Sequence, residues 1–191
     1  MDTLEALLGR SSASRLSEPA PQGLVRERIF RSALRAPDHA RLRPWRFLVV
    51  EGEGRDRLGD ALARAMQRRD GAVDEPTLQK LRVNPLRAPL LLLPVADVRE
   101  HPKVPLLEQQ MSVACAAQCI LLAAHAEGFG GIWRSGSIAY SAELHAELGL
   151  ADSEQLLGFL YLGTPVAASA RPVADPDPKQ HFRPWPPLPL T

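Results

Sequence analysis

Apolar residues recur at helical intervals along much of the chain. Leu4, Leu7 and Leu8 predict a short helix over residues 2–9, capped by Asp2 or Thr3 and ended by Gly9. Val25, Ile29, Ala33 and Ala36, with Arg26, Glu27 and Arg31 between them, predict a second helix from about Gln22 to Ala36. Leu58, Leu62, Ala65 and Met66 predict a third from about Arg55 to Arg68, broken by Asp70-Gly71, and Asp74 to Arg82 reads as a fourth. Pro105 opens the longest, to about Glu127. From Val113 it is apolar almost all round, the pattern of a helix buried on most sides and a natural core or dimer element. Ser141 caps a last helix through Leu148.

Other stretches lack that period. Trp45 to Glu51 is aromatic and β-branched and reads as a strand. Leu90 to Val98 is a continuous apolar run, read as a strand despite Pro94, which belongs on an edge or at a bulge. Ile132-Trp133 reads as a brief strand and Gln155 to Leu162 as a buried one. Arg10 to Arg15 reads as a polar loop, and Asn84-Pro85 and Ala88-Pro89 mark another. Helices outnumber strands and separate them unevenly, which favours an α+β sandwich with a central mixed sheet flanked by helices. The pattern supports one domain over residues 1–165 and a proline-rich tail over 166–191. So many prolines exclude a regular helix or central strand there, and the two aromatics of His181-Phe-Arg-Pro-Trp185 favour docking on a surface.

Composition narrows the function. The 191 residues suffice for one domain with a substantial core. A net charge of +1 argues against bulk electrostatic binding of nucleic acid. The longest apolar run, Val113 to Ala126, falls short of the ~20 residues of a membrane span, and no secretory signal is visible. A cytoplasmic protein is expected. Cys115 and Cys119, one helical turn apart, read as buried free thiols, with no metal site expected. No dinucleotide-binding fingerprint, Walker loop, zinc-protease motif or nucleophile elbow is present.

Three stretches carry candidate chemistry. The first is Arg31 to Phe47. Pro37 should stop the helix and Pro44 should make Arg43 extended. Between them lie Asp38 and His39, with Arg35 one turn back, so a cation and an imidazole share a rigid corner. Arg35 suits an anionic ligand or serves the helix dipole, and Asp38 orients the imidazole or caps a turn. The second is Arg10-Ser11-Ser12, where a guanidinium and two hydroxyls suit a phosphate. The third is Trp133-Arg134-Ser135 after Gly130-Gly131. The glycines permit close backbone approach to a planar ring, Trp133 packs on that ring or fills core, and Arg134 adds a cation.

The order of these motifs, from Gly9-Arg10-Ser11-Ser12 through Ala36-Pro37-Asp38-His39 and Pro44-Trp45 to Gly128-Phe-Gly-Gly-Ile-Trp133-Arg134-Ser135-Gly136, resembles the FMN-dependent nitroreductase family in its short single-domain branch. The resemblance runs from Met1 to about Pro165. It implies a homodimer with FMN at the subunit interface, contacted by Arg10, Ser11, Ser12, Arg35, His39, Trp133, Arg134 and Ser135. It also implies an enzyme that passes a hydride from NAD(P)H through FMN to a nitroaromatic, quinone or similar small acceptor, without a catalytic side chain. Many relatives carry a second arginine where this chain has Ser11, so Arg15 or Arg134 is expected to compensate at the phosphate, or affinity is lower. A flavin-binding or storage protein without significant turnover is the alternative, and a flavin-free scaffold a third reading.

Overall fold

The computed structural model describes residues 1–166 and 176–185. Its centre is an antiparallel sheet built from β1 (Leu16–Ser17), β2 (Trp45–Glu51), β3 (Leu90–Asp97), β4 (Gly130–Arg134), β5 (Glu154–Leu156) and β6 (Phe159–Pro165). β3 pairs with β2 on one side and with β6 and β5 on the other, and β6 pairs with β4 and β1. All of these ladders are antiparallel. The parallel element is an isolated bridge between Ser12 and Gly131, so the sheet is mixed only there.

Helices cover both faces, as expected of an α+β sandwich. The helices are α1 (Thr3–Gly9), α2 (Gly23–Ala33), α3 (Gly54–Asp70), α4 (Glu75–Val83), α5 (Leu106–Ala126) and α6 (Ala142–Glu147). α2 and α5 bury Ile29, Ala33, Ala116, Ala117, Ile120 and Ala124 against Leu90, Leu92, Leu160 and Leu162. On the opposite face Leu58, Leu62, Ala65 and Leu144 meet Leu91, Leu93, Val95, Phe159 and Tyr161. β3 feeds both layers by simple alternation, which is why its run reads as continuously apolar. α1 starts with a capping box: Asp2 accepts the Glu5 amide, and Glu5 accepts the Asp2 amide.

Pro94 sits in a central strand. Its carbonyl accepts from the Leu157 amide, 2.9 Å, so the edge that lacks an N–H faces the interruption between β5 and β6. The run expected as one strand over Gln155 to Leu162 is broken there, at Leu157-Gly158, where Gly158 has φ +123°. The rule that proline belongs at a bulge holds, and the bulge is in the neighbouring strand.

Four other expectations change. Arg43 is left-handed, φ +50°, rather than extended, because the Asp38 carboxylate holds the Leu42 and Arg43 amides at 3.1 and 2.7 Å. α5 buries one side only; Leu107, Met111 and Cys115 lie exposed at four-residue spacing on the other. Both thiols are free, but Cys115 is exposed and Cys119 half-buried, because the apolar pattern of α5 serves a packed face and an open one. At 21 residues α5 is long and apolar enough to cross a membrane, yet the packed side is tied into the sheet through the contacts above. In the tail, Phe182 and Trp185 are exposed rather than docked on this chain. The expectations for 167–175 and 186–191 lie outside the described residues.

Candidate functional site

β4 leads to the site. Its side chains alternate across the sheet. Ile132 packs into the α3-side core, and Arg134 lies over the Tyr161 ring of that core at 5.9 Å. Trp133 packs on the other face with α2 and α5, and its indole N–H donates to the Leu157 carbonyl at 3.0 Å, the group freed by the break before β6. Its side chain therefore fills core, leaving only its backbone beside Arg134.

Arg134 and Ser135 line a cavity of about 610 Å³ with Leu62, Met66, Lys80, Leu81, Asn84, Arg87, Phe159 and Tyr161. Two buried polar atoms, Asn84 Oδ1 and Arg134 Nε, have no hydrogen-bond partner among the described residues. Native proteins rarely leave such groups unsatisfied, because each costs a desolvation penalty of roughly 1–3 kcal/mol. Both belong to residues on the wall of this cavity. Three cations, Lys80, Arg87 and Arg134, line it without a carboxylate among the lining residues. Burial pushes the Tyr161 phenol up, against the opposing charges of Arg134 and Arg87.

Asn84 and Arg87 were not anticipated from the sequence. They stand in the 3-10 turn Asn84–Arg87 between α4 and β3. Asn84-Pro85 reads as an ordinary loop, and what distinguishes it is the spacing of amide and guanidinium across one turn, which carries meaning only once Arg134 lies opposite.

The Arg10-Ser11-Ser12 stretch meets the other end of β4. All three residues are half-buried. Ser12 bridges Gly131, and the Ala13 amide donates to the Gly131 carbonyl at 3.2 Å, so this is a paired segment rather than a free loop. Gly131 and Arg134 are three residues apart on the strand, ~10 Å. Gly130 and Gly131 are fully occupied by protein. A Cβ on Gly131 would lie 2.7 Å from Leu121 Cδ2, and one on Gly130 2.7 Å from Pro165 Cγ. Their smallness serves packing against α5 and β6, in place of the ring contact expected of them.

Arg35 and His39 lie elsewhere. α2 ends at Ala33, and the Arg35 and Ala36 amides close tight turns on Ser32 and Ala33 before Pro37. His39 Nδ1 pairs with Glu108 Oε2 at 2.8 Å, near the start of α5, while Asp38 caps the turn instead of orienting the imidazole. Gly9, just before Arg10, lies beside His125 near the other end of α5. Glu108 and His125 are separated by ~25 Å of helix. Arg134 and Ser135 thus share a cavity at one end of β4, Trp133 packs on the opposite face, Arg10, Ser11 and Ser12 lie at the other end of the strand, and His39 lies apart. Arg35 sits between, lining a groove with α1 residues Thr3 and Leu7 and α5 residues Cys119 and Leu122.

Known proteins resemble this chain over nearly its whole length. A model of the nitroreductase family matches residues 8–164. An Escherichia coli (strain K12) protein named "Putative NAD(P)H nitroreductase YdjA" is 44% identical over 182 residues, covering 93% of this chain and 96% of that one. A Haemophilus influenzae protein named "Putative NAD(P)H nitroreductase" is 35% identical over 172 residues, covering 90% and 92%. Among solved structures, a nitroreductase-like protein from Bacillus cereus superposes with a TM-score of 0.81 at 20% identity, covering 96% of this chain and 95% of that one. The "FMN and NADPH-dependent nitroreductase NfnB" from "sphigopyxis sp. strain HMH" superposes with a TM-score of 0.75 at 21% identity, covering 95% and 98%.

Proposed function

The chain belongs to the nitroreductase family, and on that premise we propose that it is a homodimeric FMN-dependent oxidoreductase. It takes reducing equivalents from NAD(P)H and delivers them to a nitroaromatic, quinone or similar small acceptor. The observation that carries this reading is the pair of unpartnered buried groups, Asn84 Oδ1 and Arg134 Nε, on the wall of one cationic cavity. An amide and a guanidinium on the wall of one cavity are the group types that suit the pyrimidine-dione edge of a flavin, which offers an N–H beside carbonyl oxygens.

FMN, when bound, supplies the hydride-accepting ring. The chain's own residues do the rest. Lys80, Arg87 and Arg134 place positive charge at the pyrimidine edge, which stabilises a reduced, anionic flavin. Leu62, Met66 and Phe159 give the cavity an apolar wall that excludes water and strengthens those interactions. Arg10, Ser11 and Ser12, at the opposite end of β4, offer a guanidinium, hydroxyls and amides to the phosphate. Trp133 fixes the strand through its hydrogen bond to Leu157, and Ser135 lines the cavity. No side chain is required to transfer a proton to the flavin donor, so none is assigned as catalytic.

The positions of Arg35 and His39 support the dimer part of this reading. Leu107 and Met111 of α5 and Leu4, Leu7 and Leu8 of α1 are exposed apolar residues, 49–73% accessible. A twofold axis across the middle of α5 buries that face and lays two copies of α5 antiparallel. The Glu108 end of one then lies beside the His125 end of the other. This carries Arg35 and His39 of one subunit to the Arg10–Ser12 segment of its partner. The reading puts the protein in the cytoplasm, where NAD(P)H is supplied.

Purified protein should be yellow with a flavin spectrum, and NADPH added without air should bleach it. Colourless protein that FMN cannot reconstitute would overturn the reading. Flavin that stays oxidised with both NADH and NADPH would make the protein a carrier instead.

A further inference from the structure

The corner after α2 holds a second cationic cavity. It measures about 790 Å³, and Arg35, Arg41, Arg43, Asp38 and Trp45 line it. Three arginines line it with a single carboxylate residue, Asp38, among them. That carboxylate is already engaged: Asp38 accepts the Leu42 and Arg43 amides through its two oxygens. Elsewhere in the described residues arginines meet carboxylates, as in Arg26–Glu51, Arg28–Glu127, Arg64–Glu147 and Arg82–Glu75. No carboxylate among the described residues forms an ion pair with Arg35, Arg41 or Arg43.

The backbone here is also exceptional. Ala40, Arg41 and Arg43 are left-handed, with φ of 61°, 54° and 50°. Every other described residue with positive φ is glycine. Left-handed geometry in residues with a Cβ is costly and clusters where a chain must aim particular side chains. The Asp38 carboxylate and the Arg99–Leu42 hydrogen bond at 2.9 Å hold the loop in this shape. The product is three cations collected against their mutual repulsion.

We propose that Arg41 and Arg43 form the site for the phosphate groups of the nicotinamide dinucleotide donor. The inference rests on the flavin reading above and on the dimer that carries this corner to the partner's Arg10–Ser12 segment. A nicotinamide stacked on the flavin leaves its phosphates well outside the ring pocket, so they require a cation cluster separate from the one that holds the FMN phosphate. Arginine forks suit phosphate oxygens, and the half-buried Trp45 adds aromatic surface for the adenosine.

The test titrates the flavin-loaded protein calorimetrically with 2′,5′-ADP, ADP and adenosine, in wild type and in Arg41→Gln, Arg43→Gln and the double variant. Arg57→Gln serves as a control for lost charge. Either arginine substitution should weaken the phosphorylated probe about tenfold, and the double variant more. Binding should weaken with added salt. The KM for NADPH should rise in parallel while the FMN content of the protein stays constant. Tighter binding of 2′,5′-ADP than of ADP puts the ribose 2′-phosphate in the cavity and makes NADPH the preferred donor. Equal binding of the two puts the pyrophosphate there. Either result supports the proposal. It is overturned if adenosine binds as well as the phosphorylated probes. It is also overturned if the double variant binds them normally, or if it loses FMN instead of the probe. A colourless protein that still binds 2′,5′-ADP through these arginines would remove the flavin reading and leave the phosphate site standing.

Discussion

Arginines near α6 and β5 behave differently from those under the end of β4. Arg64 and Arg68 converge on Glu147, and Arg46 pairs with Glu154. These pairs tie α3 to α6 and β2 to β5. Under β4, Arg134 keeps a buried Nε without a partner, and Arg87 and Lys80 share its cavity with no carboxylate. The first group is satisfied by the fold itself. The second has no carboxylate partner among the described residues of its cavity wall. In an arginine-rich chain, residue type therefore says little about role, and pairing says much.

That contrast can be pressed from both sides. The largest effect is expected at Asn84. Asn84→Leu removes a buried acceptor that no protein group uses, so folding stability should hold or rise by up to about 1 kcal/mol, while FMN affinity falls at least about tenfold. Urea unfolding of the apoprotein and flavin fluorescence titration read the two quantities separately. Glu154→Gln should do the reverse. It weakens a charged pair and lowers stability by about 1–2 kcal/mol without changing flavin affinity, again read by urea unfolding.

Acid should act on the paired group. Hydrogen bonds from Arg64 and then Arg68 lower Glu147 from its ordinary 4.5 to about 2, and a hydrogen bond from Arg46 lowers Glu154 to about 2. In the unfolded chain both carboxylates bind protons near 4.5. Their stabilisation is complete above that pH and is lost as pH falls towards 2. A Glu147→Gln, Glu154→Gln variant should be less stable than wild type at neutral pH, with the difference shrinking through this window in thermal melts. The smallest effect belongs to Arg57, whose 3.8 Å contact with Glu53 is almost fully exposed. Arg57→Gln should shift stability by less than about 0.5 kcal/mol.

The same contrast explains what was legible in the sequence. Helix and strand positions follow from period, because Val25, Ile29 and Ala33 on α2 and the run in β3 have one core to face. Arg134 and Ser135 drew notice in the sequence because they follow paired glycines, and both line one cavity, although those glycines turn out to serve packing against Leu121 and Pro165. Trp133 was ambiguous: strand alternation separates it from Arg134, and the residue of β4 at which side chains change face is not written in the local sequence. Asn84 and Arg87 were hidden because their chemistry depends on a strand 50 residues away. Arg35 and His39 carry a different obscurity: His39 pairs with Glu108 near the start of α5, while Arg10 follows Gly9 beside His125 near its end.

The claim at the centre is that unpaired arginine under β4 marks the flavin pocket and paired arginine marks the scaffold. The dissociation constant of FMN measured for Arg134→Met and Arg46→Met tests it most directly. The account predicts about tenfold or greater weakening for Arg134→Met and a change within about twofold for Arg46→Met. Equal effects of the two substitutions, or a loss confined to Arg46→Met, would contradict it.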